Sequence, residues 1–188
     1  MLTRCITFAV VALVWVGTTS LASAQHERPY EFDDTHIAIS IERFMGIDYT
    51  DYEGPGGDDV TARLFLNANE VTPTHFARLG FDVFIERLSI GLGAGVTTGD
   101  YAILAPRVGY MIGLTANLGL WLRGGMFYAA TPEPNYFGVY AEGLFSWFPY
   151  TYMAFTFGPT LDIGFANEDR YADFVSLGIP EVGMTVLF

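Results

Sequence analysis

The chain has no lysine. All nine of its basic residues are arginine, set against 21 aspartates and glutamates, for a net charge of −12. A chain this acidic lacks the basic footprint that nucleic-acid binding needs. Cysteine is almost absent too. The single Cys5 leaves no pair for a disulfide and no cysteine metal site. The three histidines, His26, His36 and His75, are scattered. No apolar run is long enough for a membrane-spanning helix. The longest, Val108–Leu122, is interrupted by Gly113-Leu114-Thr115-Ala116-Asn117 and flanked by Arg107 and Arg123. Disorder is excluded by what is abundant, since 51% of residues are hydrophobic and 16% aromatic. Much apolar surface on a strongly acidic chain implies that the two are segregated.

The first residues stand apart. Arg4 precedes an apolar run from Ile6 to Val16, and small residues end in Ala22-Ser23-Ala24. This is the pattern of a secretory signal peptide over residues 1–24. Cys5 lies inside it, far from the cleavage site, so no lipoprotein anchor is expected. Residues 25–34 are polar without period and read as a short periplasmic tail. Residues 35–188 read as one domain.

That domain alternates with period two in eight segments. They are Thr35–Asp48, Thr74–Ile85, Leu88–Val96, Ala102–Ile112, Leu118–Ala129, Tyr136–Phe148, Tyr152–Phe165 and Phe174–Phe188. Most reach the roughly 9–11 tilted residues that cross a bilayer as a strand. The connections alternate in length. Glu86-Arg87, Gly113 to Asn117 and Pro149-Tyr150-Thr151 are short. Tyr49–Pro73, Thr97–Tyr101, Ala130–Asn135 and Ala166–Asp173 are longer and hold most of the loop acids, including Asp58, Asp59, Asp100 and Glu133, against Arg63 and Arg170. An even strand number puts both termini and the short turns on one side.

The charges decide which way the faces point. Outward assignment of the more apolar parity puts Phe155, Phe157, Leu161 and Ile163 of one segment on the outside. Tyr152, Ala154, Thr156, Gly158, Thr160 and Asp162 then face in. Repeated for every segment, Glu42, Arg78, Asp82, Arg107, Arg123, Glu142, Asp162 and Glu181 all point inward. Arg43 is the one mid-strand exception, which a place above the apolar band or a bulge near Met45-Gly46 that shifts the register would explain. Charges in and apolar residues out is the reverse of a soluble lipocalin-like barrel. It matches a barrel in lipid, where an outward Arg at mid-depth costs about 2–4 kcal/mol. The fold class expected is all-β: an eight-stranded antiparallel up-and-down transmembrane β-barrel. Inward Gly91, Gly93 and Gly95 leave room for large neighbours such as Tyr140, Tyr152 or Trp121.

The last strand adds a resemblance. Val182-Gly183-Met184-Thr185-Val186-Leu187-Phe188 resembles the C-terminal signal by which Gram-negative outer-membrane barrels are recognised for assembly. Gly183, Val186 and Phe188 fit it, and Val182 stands where a polar residue is usual. With the strand pattern, the mature chain resembles the small OmpA/OmpX-like outer-membrane barrels. The resemblance implies outer-membrane lipid, lipopolysaccharide and the barrel-assembly machinery as partners, in a Gram-negative outer membrane. It carries no catalytic motif.

Several functions remain open on these residues. The interior charges read as a plug of paired groups, with an ion path as the alternative. Outer-membrane lipid A esterases and acyltransferases need a Ser nucleophile beside a His base. His36 and Ser40 share a face, but four strand residues separate them by roughly 13 Å. No catalytic residue, cofactor or metal ligand is expected. Asp58-Asp59 after Gly-Pro-Gly-Gly does not match an EF-hand loop. A structural or surface-interaction role leads, then a narrow pore, then a lipid A-modifying enzyme. The partner of the acidic external loops is not named by any motif.

Overall fold

The computed structural model describes residues 34–53, 59–65, 78–96, 102–131, 135–168 and 172–188. The expected signal peptide and nearly all of the tail lie outside them. Among the described residues nine strands run in order: β1 (Thr35–Glu53), β2 (Asp59–Phe65), β3 (Arg78–Ile85), β4 (Leu88–Val96), β5 (Ala102–Thr115), β6 (Leu118–Ala130), β7 (Tyr136–Tyr150), β8 (Met153–Ala166) and β9 (Asp173–Leu187). Among the described residues there is no helix.

Each of β3 to β8 pairs antiparallel with the next, and β1 pairs with both β3 and β9. That pairing closes the barrel with eight strands. Closure extends to the last residue: Ile37 and Phe188 exchange two backbone hydrogen bonds, at 3.1 and 2.8 Å. The turns Glu86-Arg87, Ala116-Asn117 and Thr151-Tyr152 join strands at the end where β1 begins and β9 finishes. This is the turn end, and the longer connections leave the opposite, loop end.

The additional strand β2 corrects the expected loop Tyr49–Pro73. β1 continues to Glu53 and β2 returns along it, from Tyr52 opposite Asp59 to Gly46 opposite Phe65. β3 takes the same edge of β1 lower down, from Glu42 opposite Arg78 to Thr35 opposite Ile85. The position beside β1 is thus filled by two strands in succession.

Burial alternates along the strands with the polarity inverted. In β5, Ile103, Ala105 and Arg107 are buried, while Leu104, Val108 and Tyr110 are exposed. In β7, Tyr140, Glu142 and Ser146 are buried and Phe137, Val139 and Trp147 exposed. Period two therefore sorts apolar side chains to the outer surface and charges to the axis.

Two irregularities break the alternation. In β1, Glu42 and Arg43 are both buried, with register shifts against β9 on either side of Met45. Arg43 has φ of 52°, the left-handed backbone of a bulge, which turns its side chain inward. Arg43 is therefore an interior residue, and the outward assignment read from parity is wrong. In β9, Gly178 and Glu181 are both buried with Ile179 and Pro180 between them. Gly158 faces Glu181 but Thr160 faces Gly178, so β9 carries an extra residue there. Pro180 cannot donate to a ladder, and a bulge is where a strand tolerates it. The unbroken period expected through Phe174–Phe188 thus switches face at this bulge. Phe174, Ser176 and Gly178 point inward before it, and Glu181, Gly183, Thr185 and Leu187 after it.

Candidate functional site

The interior is built in three layers. The middle one is ionic. Four arginines, Arg43, Arg78, Arg107 and Arg123, meet five carboxylates, Glu42, Asp82, Glu142, Asp162 and Glu181, all buried. The strands deliver them from around the whole wall: β1, β3, β5, β6, β7, β8 and β9 each supply at least one.

Two lobes make up this layer. In the first, Arg107 grips two carboxylates. Its Nη1 and Nη2 donate to Glu42 at 2.6 and 2.7 Å. Its Nε and Nη2 donate to Asp82 at 2.8 and 2.5 Å. Ser40 Oγ also donates to Glu42, at 2.6 Å. In the second lobe Arg43 is central. It donates to Asp162 through Nη1 and Nη2 at 2.6 and 2.9 Å. It reaches Glu142 at 2.8 Å and pairs with Glu181 at 2.9 Å. Thr160 Oγ1 donates to Glu181 at 2.8 Å.

Arg78 and Arg123 bridge the lobes. Both pair with Glu142, and both reach Glu42, at 3.5 and 2.8 Å. Glu142 thereby receives three guanidiniums. Such pairing is what lets charges remain ionised away from water.

Aromatic rings cover the ionic layer on both sides. Arg123 lies 4.5 Å and Arg107 6.0 Å from the ring of Trp121. Arg78 and Arg43 lie 4.9 and 5.8 Å from the ring of Tyr140. These are cation–π distances. Trp121 belongs to an apolar cluster at the turn end with Ala38, Phe84, Met111, Leu144, Phe148, Ala154 and Leu187. Tyr140 belongs to a second cluster toward the loop end with Ile103, Ala105, Phe127, Ala129, Tyr136 and Phe174. The order along the axis is apolar, ionic, apolar.

Small residues make the space. A Cβ on Gly80 would meet Ser40 Oγ, Arg107 Nη2 and Glu42 Oε1. One on Gly91 would meet the Asp82 carboxylate, and one on Gly93 would contact Arg78 and Arg107. Of the aromatic neighbours expected beside β4, Trp121 is there, its indole N–H donating to Ser89 Oγ at 3.0 Å, while the space at Gly91 and Gly93 is taken by the charge layer. Tyr152, expected inward, is 56% exposed in the turn after β7 and stacks on Tyr150 at 5.5 Å.

The outside is the complement. Large apolar side chains stand exposed around the wall, among them Ile39, Phe81, Ile90, Leu104, Val108, Met126, Val139, Leu161 and Val175. Stacked aromatic pairs cross the β7–β8 seam, Phe145 on Phe157 at 5.7 Å and Trp147 on Phe155 at 6.0 Å. A closed barrel with paired charges inside and an apolar outside satisfies every demand of a lipid solvent. The protein is a small membrane-spanning β-barrel of the outer-membrane type.

No protein-family model matches this barrel, and no curated protein does. Solved structures do resemble it. The Neisserial surface protein A aligns over 81% of this chain and 96% of its own, at 10% identity and a TM-score of 0.48. Ail, the attachment invasion locus protein of Yersinia pestis, aligns over 82% and 99%, at 10% identity and a TM-score of 0.47. A de novo designed transmembrane β-barrel aligns over 87% and 100%, at 8% identity and a TM-score of 0.43.

The structure brings the eight sequence-assigned charges, Glu42, Arg78, Asp82, Arg107, Arg123, Glu142, Asp162 and Glu181, into one network. Arg43, the most connected member of the second lobe, joins it through the register shift near Met45 that the sequence offered as one explanation of its exceptional parity. Sequence reasoning missed Ser40 and Thr160 as donors and Tyr140 as one of the two aromatic covers. Of the residues expected to form an assembly signal, Gly183 is buried beside Thr156, Val186 pairs with Ile39 and Met153, and Phe188 is 70% exposed. Ser40 has its hydroxyl on Glu42, not on His36. His26 and His75 lie outside the described residues, as do Asp58, Glu70, Asp100, Glu133 and Arg170 of the longer connections. Among the described residues no cluster of His, Cys, Asp or Glu is arranged to hold a metal ion.

Proposed function

We propose that the protein is a closed, non-enzymatic barrel of a Gram-negative outer membrane, with a structural or surface-interaction role carried at its loop end. The observation that carries this reading is the layered interior. Each guanidinium of the ionic layer is tied to at least two carboxylates. Apolar clusters lie on both sides of it. An ion entering would have to displace a paired charge and then pass an apolar layer. Water-filled pores instead keep a polar lumen.

The orientation follows from the connections, with turns and tail periplasmic and the acidic loops external. The outer surface is in contact with lipid and lipopolysaccharide. Gly183, Val186 and Phe188 present the signal read by the barrel-assembly machinery.

The narrow pore is the second reading, because the layer contains five carboxylates against four guanidiniums. Solute flux in proteoliposomes separates the two. The closed barrel gives the swelling rate of empty vesicles for small sugars and amino acids. Size-dependent swelling supports the pore. Mass analysis of lipid A from cells with and without the protein tests the enzyme reading, and an altered acyl or headgroup pattern would establish it.

A further inference from the structure

The ionic layer holds one more carboxylate than guanidinium, five against four among the described residues. Apolar clusters lie on both sides of it, so the surplus charge is sealed from solvent. A buried carboxylate that no cation matches loses its charge by taking up a proton. The contacts show which of the five it is.

Four of them meet guanidinium nitrogens on both oxygens. Glu42 Oε1 accepts from Arg107 and Arg123, and its Oε2 from Arg107. Arg107 donates to both oxygens of Asp82, and Arg43 to both oxygens of Asp162. Glu142 accepts from Arg43 and Arg78 on Oε1 and from Arg123 on Oε2. A guanidinium only donates, so each of these oxygens is fixed as an acceptor.

Glu181 is held differently. Its Oε1 lies 2.8 Å from Thr160 Oγ1. A hydroxyl accepts as well as donates, so this contact suits an O–H on Glu181 as well as a bare oxygen. Its Oε2 lies 2.9 Å from Arg43 Nε, which directs its hydrogen to Glu142 at 3.1 Å. Three carboxylates thus converge on the one guanidinium of β1: Glu142 of β7, Asp162 of β8 and Glu181 of β9. The bulge at Pro180 turns Glu181 inward beside Thr160. Gly178 leaves the space, since a Cβ there would meet Glu181 Oε1 and Thr160 Oγ1.

We propose that Glu181 is a proton-binding site within the ionic layer. Its Oε1 carries a hydrogen that is donated to Thr160 Oγ1, and its Oε2 faces Arg43. Four guanidiniums then stand against four carboxylates, and the layer is electrically neutral between its two apolar covers.

Glu181→Gln tests this, because the amide copies the neutral acid. Its NH₂ donates to Thr160 and its carbonyl faces Arg43. The urea midpoint for unfolding from bilayers at neutral pH should stay at the wild-type value or rise. Asp162→Asn, which breaks a two-pronged ion pair, should lower it. A midpoint for Glu181→Gln below wild type overturns the proposal. The second readout is the infrared spectrum of the folded protein at neutral pH in a detergent without carbonyl groups. The wild type should show the carbonyl band of a protonated carboxylic acid, and Glu181→Gln should remove it. A wild type without that band, or a band that survives Glu181→Gln, overturns the proposal whatever the midpoints. Neither readout involves ion flux, so failure here leaves the closed-barrel reading untouched.

Discussion

Arg43 on β1 grips Asp162 on β8 through two nitrogens, at 2.6 and 2.9 Å, although β9 stands between those strands in the wall. The contact crosses the interior and does not follow the sheet. It depends on a backbone that non-glycine residues adopt at a cost of about 1–3 kcal/mol. The return on that strain is one cation held between Asp162 and Glu181.

Arg43→Met should therefore destabilise the barrel by about 3–5 kcal/mol, the usual consequence of leaving buried charge unpaired. Arg43→Gly loses the same pairs but relaxes the left-handed backbone, so it should cost less than the Met variant. Reversible unfolding from bilayers measures both. A neutral Arg43→Met would mean that Asp162 and Glu181 need no cation.

Arg123 bridges the lobes through Glu42 and Glu142 and covers the Trp121 ring. Arg123→Met should also lose about 3–5 kcal/mol. Arg87 lies exposed in the turn between β3 and β4. Arg87→Met should stay within about 0.5 kcal/mol of wild type. Equal effects at the two sites would remove the case for an interior network.

Phe157 faces outward from β8 and stacks on Phe145. Phe157→Arg should cost about 2–4 kcal/mol by placing a charge in lipid. Thr156 is buried one position away. Thr156→Arg should fail by crowding the interior, with a loss that thinner bilayers do not relieve. Relief of the Phe157→Arg defect in thinner bilayers is expected, since depth sets its cost.

Gly80 is the test of the space around Arg107. A methyl group there meets Ser40, Glu42 and Arg107. Gly80→Ala should cost about 1–3 kcal/mol by overpacking. Gly113 has nothing near its added Cβ, and Gly113→Ala should be close to neutral in the same unfolding assay.

Much of this architecture was legible from charge and period. Once the apolar parity of β5 to β8 is turned outward, Arg107, Arg123, Glu142 and Asp162 fall inside without further information. Lipid leaves few alternatives, because a charge in a spanning strand must point to the axis or lie near an interface. Arg43 was legible only as an exception that a bulge would explain, since a bulge adds a residue without altering composition. Its own charge was the clue: an arginine in mid-strand on a lipid face asks for a register shift. Pro180 carried a similar clue, as a residue without an N–H inside a strand. The β1–β2 hairpin escaped although β2 alternates, Asp59, Thr61 and Arg63 against Val60, Ala62 and Leu64, because seven residues behind a Gly-Pro-Gly-Gly run are shorter than the roughly 9–11 that cross a bilayer. Some partners inside the ionic layer are cross-strand neighbours, as Arg123 is opposite Glu142 and Arg78 opposite Glu42, but Arg43 with Asp162 and Arg107 with Glu42 join strands that are not neighbours and were beyond sequence reasoning.

The most direct measurement of the closed interior is single-channel current across planar bilayers containing the folded protein. The layered plug predicts current at background for the wild type at moderate voltage. It also predicts background current for Arg123→Met as long as the barrel stays folded, because the apolar clusters remain on both sides. Steady, ion-selective channels in the wild type, with selectivity shifted by Arg123→Met, would contradict the plug and make the ionic layer the filter of a pore.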